Sequence, residues 1–188
     1  MEPVLRRVRR WTLFFVVGLV LSGATALPIP TQLELAVRVL GEDLRAGGLV
    51  PDGAAAWLHT LRDGIRATEA GAPFMFYGTD WLAFGHFAIA AAFVGALRDP
   101  LRNRWLFQYG MWICAAVPVW ALVCGELRGI PFWWRMIDCS FGLFALPLLW
   151  YARSLTVKLA AWSDSAETTL RNQEAPKHGF QGRRPDSQ

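Results

Sequence analysis

The sequence predicts an all-α polytopic membrane protein, with four transmembrane helices and two amphipathic extracytoplasmic helices between spans 1 and 2. Three observations predict it. Hydrophobic residues make up 54% of the 188, with ten Trp and twelve Phe, a share too apolar for most soluble domains of this size. The apolar residues gather in four runs, each close to the roughly 20 residues that cross a bilayer core of about 30 Å. Basic residues cluster at alternate ends of those runs.

Span 1 covers residues 11–27 (WTLFFVVGLVLSGATAL) behind Arg6, Arg7, Arg9 and Arg10. A basic start, an apolar stretch and "ATA" before Leu27 also describe a signal peptide cleaved after Ala26; an uncleaved anchor is the reading preferred here. The insert that follows, about residues 29–76, carries two amphipathic stripes. Leu33, Ala36, Val37, Leu40 and Leu44 share one helical face that Gly47 and Gly48 end. Asp52 then caps a helix with Ala54, Trp57, Leu58, Leu61 and Ile65 on one face, which Gly71 and Pro73 stop. Neither stripe is apolar enough to span, so both helices lie in the interface or cover the bundle end.

Span 2 covers residues 81–97, span 3 residues 106–125 and span 4 residues 131–151, with "RDPLRNR" (98–104) as a tight reversal between spans 2 and 3. Residues 1–153 thus form the membrane domain, and 154–188 read as a polar, disordered cytoplasmic tail in which His178 is solvated. Arg98, Arg102, Arg104, Arg153 and Lys158 join the N-terminal arginines on one side. Segment 31–76 instead has six acids against four Arg, so the positive-inside bias puts both termini in the cytoplasm. Trp11, Trp105 and Trp150 at one boundary and Trp81, Trp120, Trp133 and Trp134 at the other agree with it. The net charge of +4 therefore reports topology, and no motif points to nucleic acid. Cys114, Cys124 and Cys139 fall within spans without CxxC spacing, which argues against a disulfide framework or a zinc site and for inert core thiols.

The residues that carry chemistry share one depth. At roughly 1.5 Å per residue His86 lies about 9 Å below the outer boundary, Arg135 about 6 Å and Asp138 about 10 Å. Asp80, Glu126 and Arg128 sit at that same outer end. An unpaired intramembrane charge is penalised by about 2.5–3.5 kcal/mol, so such residues face the bundle and pair. Arg135 with Asp80 or Asp138, and His86 with Asp138, are the expected partners. These six residues are read as a candidate site for a polar or anionic group, with Arg128 and Arg135 as donors to phosphate or carboxylate. The alternative from another class is a structural or assembly subunit whose charges only hold helices together. A membrane hydrolase comes third, because no nucleophile motif accompanies His86. Haem would need two intramembrane His ligands and only His86 lies in a span, so no cofactor or metal is expected. A single copy lacks polar residues through its full depth for ion conduction, which leaves a homo-oligomer open as a pore.

In their order, Asp80 with His86, then Glu126, Arg135, Asp138 and Gly142 resemble the VanZ-like family of small bacterial membrane proteins, over roughly residues 77 to 145. The chain is also similar to bacterial four-span inner-membrane proteins with segments of the "GTDWLAFGHF", "RDPLRNRW" and "GIPFWWRMIDCSFG" type. The VanZ resemblance implies a place at the outer face of the cytoplasmic membrane, with lipids or lipid-linked envelope precursors as partners.

Overall fold

A computed structural model describes residues 2 to 174, and the regular elements among them are all helical. They are α1 (Glu2–Ala24), α2 (Ile29–Ala36), a π-helical stretch (Val37–Asp43), the single turn α3 (Leu44–Ala46), α4 (Asp52–Gly71), a 3-10 turn (Pro73–Phe76), α5 (Tyr77–Arg98), α6 (Arg104–Leu127) and α7 (Phe132–Glu174). Segments Pro73–Arg98, Arg104–Leu127 and Phe132–Asn172 are long and apolar enough to cross a membrane. A fourth is added when α1 and Ile29–Ala46, bent by 95° to each other, count as one pair. The chain thus has three or four candidate spans.

The long helices associate in two pairs. α1 packs along α5, and α6 packs along α7, while α5 and α6 touch little despite the short loop between them. That loop is closed locally: Asn103 Nδ2 donates to the Gly95 and Asp99 carbonyls (both 3.0 Å), and the Arg102 amide donates to Asp99 Oδ1 (3.0 Å). The pairs meet through α1 and α7 at the end that gathers the basic residues. There Val8, Phe93, Ala96, Leu106, Phe107, Leu149, Ala152, Leu155 and Leu159 belong to one buried core. Arg9 donates to the carbonyls of Leu97 (3.0 Å) and Arg98 (3.1 Å), which have no helical partner at the end of α5.

α7 runs for 43 residues, about 65 Å at the helical rise, roughly twice a bilayer core. Residues 154–174 are thus helical, where a disordered tail is expected from residue 154. Ala152, Leu155 and Leu159 recur on one face and are buried against the start of α1, which carries the helix onward to Glu174 although its other faces are polar. Residues 175–188, with His178, lie outside the described residues.

Between α1 and α5 the two stripes form helices that pack on each other, with Val37, Ala55 and Leu58 buried and Glu34 paired to Arg66 at 2.6 Å. Two details differ from expectation. The first stripe passes through a π-helical stretch before Gly48, in the left-handed region at φ 72°, ends it. Pro51 occupies the N-cap of α4, and Asp52 sits in its first turn bound to Arg45 at 2.8 Å.

The α6–α7 contact depends on two residues. Pro118 lies inside α6 and has no N–H, so the carbonyl of Cys114 four residues back is left without its helical donor. Gly142 of α7 sits against that oxygen so closely that a Cβ would overlap it. Gly142→Ala therefore forces backbone apart and costs about 1–3 kcal/mol, whereas Gly85→Ala, where a Cβ meets open space, costs little. Thermal unfolding of both variants in one detergent checks this; equal midpoints would refute the close-approach account.

Candidate functional site

Of the six polar residues singled out from the sequence, the structure joins two. Arg135 Nη1 donates to Glu126 Oε2 at 2.5 Å and approaches the Leu122 carbonyl at 3.4 Å. The Arg135 side chain is 13% exposed and that of Glu126 73%, so the cation is sunk in the α6–α7 interface and its partner reaches in from the rim. Gly125 makes room for it, because a Cβ there would overlap the Arg135 Cδ and Cγ. The guanidinium carbon lies 5.5 Å from the centre of the Phe132 ring, and Nε is buried with no partner. Trp57 of α4 reaches the same end of the bundle, with its ring 6.5 Å from that of Trp134 and its Nε1 likewise buried and unpartnered.

The other four stand apart. Among the described residues Asp80, His86, Arg128 and Asp138 take part in no ion pair. Asp80 is exposed in the first turn of α5, Arg128 is exposed at the end of α6, and Asp138 is half-buried on α7. The expected pairing of Arg135 with Asp80 or Asp138 is thus replaced by Glu126, and that of His86 with Asp138 does not form. For Asp80 and His86 the physical reason is lateral placement: α5 belongs to the α1 pair and α7 to the α6 pair, so equal expected depth does not bring their polar residues together; Asp138 shares α7 with Arg135, whose stem instead crosses Gly125 toward Glu126.

His86 faces something else. Beyond the shared core, a cavity of about 560 Å³ lies between the two helix pairs, within the size range of small-ligand pockets. Its walls include Gly18 and Ser22 of α1, His86 of α5, Cys114 of α6, and Ser140 and Phe141 of α7. Phe14, Phe141 and Phe144 line it and are more than half exposed, so it opens through the side of the bundle. Among the described residues no Asp, Glu, Lys or Arg lines it. His86 Nδ1 lies 2.8 Å from the Leu82 carbonyl. Sequence reasoning missed the cavity; its trace is the small residues Gly18 and Ser22, four apart on one face of α1.

No family model, curated protein or solved structure matches the chain.

The α6–α7 junction distinguishes a packed stem from a paired charge. Arg135→Met keeps most of the stem over Gly125 and shifts stability by less than about 1 kcal/mol, in line with an ion pair whose acid is exposed. Gly125→Ala displaces the stem and costs more. Denaturation of the two variants side by side tests the order, and a larger loss for Arg135→Met would reverse it.

Proposed function

We propose that this chain is a four-span protein of the bacterial inner membrane that takes an amphiphile from the surrounding bilayer. In this reading the apolar part of the ligand lies in the cavity between the helix pairs. Its polar or anionic end, a lipid headgroup or an envelope precursor, meets the outer-leaflet residues around Asp80, His86, Glu126, Arg128, Arg135 and Asp138. The single observation that supports it most is a large, uncharged cavity, open sideways between exposed Phe rings, inside helices apolar enough to sit in lipid. The choice of an envelope precursor rests on the VanZ-like pattern alone.

The basic end of the bundle faces the cytoplasm in this proposal, and α2 and α4 lie on the opposite side. The competing reading, a subunit whose charges only hold helices together, is less favoured because four of the six polar residues bridge no helices.

Gly18 provides the test. Gly18 lines the cavity and a Cβ there meets nothing within 4 Å, so Gly18→Leu adds a side chain at its wall and improves helix propensity by up to about 1 kcal/mol. Native mass spectrometry of gently extracted protein is expected to show a co-purifying amphiphile on the wild type and little on Gly18→Leu, with stability unchanged or raised. Equal ligand on both, or none on either, would remove the support for the cavity. Topology is checked separately, in a background lacking the native cysteines. A cysteine at exposed Asp52 should react with an impermeant thiol reagent in intact cells, and one at Arg102 only after permeabilisation.

A further inference from the structure

The cavity is short and wide. Its walls run from Phe14 to Ser22 on α1, from Tyr109 to Val117 on α6 and from Ser140 to Leu148 on α7, so each covers eight residues of rise, about 12 Å at 1.5 Å per residue. At the basic end it stops on the shared core. Gly110 lines it there, and the fully buried Phe93 and Leu149 stand so close to Gly110 that a Cβ would overlap them. A volume of about 560 Å³ over that length gives a mean cross-section of roughly 47 Å².

A straight hydrocarbon chain is much thinner. Its methylenes advance about 1.2 Å per bond, as an extended polypeptide does over its three bonds per residue, and each takes about the 30 Å³ that a water molecule takes in the liquid. About ten of them fit along the walls and fill ~300 Å³, close to half of the cavity. The other half would be an apolar void, which water does not enter and whose lining loses its packing contacts. Length is not limited in the same way, because a longer chain can continue out of the cavity between exposed Phe14, Phe141 and Phe144.

We infer that the cavity holds two hydrocarbon chains side by side, and so takes a lipid that carries two chains, such as a diacyl phospholipid, in preference to an amphiphile built on one straight chain. This rests on the lipid-binding reading above and narrows its ligand. Width is the property selected, since chain length is free and no charged side chain lines the walls among the described residues.

Native mass spectrometry of the full-length protein in a micelle tests this with two probes of one headgroup, dipalmitoylphosphatidylglycerol and palmitoyl-lysophosphatidylglycerol, each titrated over the same mole fractions. The wild type should saturate at one two-chain lipid or at two lysolipids, the same number of chains either way. Gly18→Leu, with a side chain added at the wall, should lose the two-chain lipid and keep one lysolipid. If the wild type saturates at one lysolipid and holds it as well as the two-chain lipid, one chain fills the space and the inference is overturned while lipid binding stands. If Gly18→Leu matches the wild type with both probes, the chains bind outside the cavity, and if the wild type retains neither probe, nothing binds; either result removes the lipid-binding reading itself. A variant that loses both probes still leaves the wild-type chain count to decide.

Discussion

The backbone contact between Gly142 and the Cys114 carbonyl is the constraint on which the rest of the bundle depends. Pro118 withdraws the N–H that would have occupied that carbonyl, and the missing side chain at residue 142 lets α7 come up against it. In a bilayer such approach matters more than apolar contact, because lipid tails solvate Leu and Phe as well as a neighbouring helix does. Cys139 Sγ, 3.8 Å from the Pro118 carbonyl, lies at the same seam. Two turns farther along α6 the seam is continued by Gly125, over which the stem of Arg135 passes to reach Glu126. With α6 and α7 closed on each other in this way and α1 closed on α5, the space left over lies between the pairs. The cavity is the complement of these two tight contacts.

The two ends of the molecule differ for the same reason. At the basic end α1 and α7 share a core, and Arg9 satisfies the last carbonyls of α5. α7 extends well past the apolar span and still buries Leu155 and Leu159. Nothing comparable joins the pairs at the other end, where the buried Nε of Arg135 and Nε1 of Trp57 have no hydrogen-bond partner. A bundle clamped at one end and hollow toward the other suits entry of a ligand from the side.

Much of the fold was legible because it follows from one-dimensional quantities. Apolar run length marks spans 2 to 4, the stripes at Leu33–Leu44 and Ala54–Ile65 mark helices, and Gly48 marks a helix end. Position along each helix was legible too, since it needs only the rise per residue. Rotation and lateral order were not. Arg135 has Asp138 one turn away on its own helix, but its stem follows the groove opened by Gly125 toward Glu126. His86 and Asp138 have similar expected depths, but their helices belong to different pairs. The extension of α7 was hidden by composition: polar residues dominate 154–174, and only the recurrence of Ala152, Leu155 and Leu159 on one face betrays a buried stripe. The cavity was least legible, because a void is defined by residues that are small or apart and leaves no strong signal of its own.

Charge placement bears on how far the polar residues act as helix glue. Charges that serve as glue should connect elements that nothing else connects. Among the described residues the ion pair between candidate spans joins α6 and α7, which backbone contact already holds, and its acid is largely exposed. Between α5 and α7, by contrast, His86 and Ser140 both line the cavity, and each is bonded to a carbonyl of its own helix and not to the other. Because the cavity has walls from all four long helices, a ligand bound there as proposed would also tie the two pairs together.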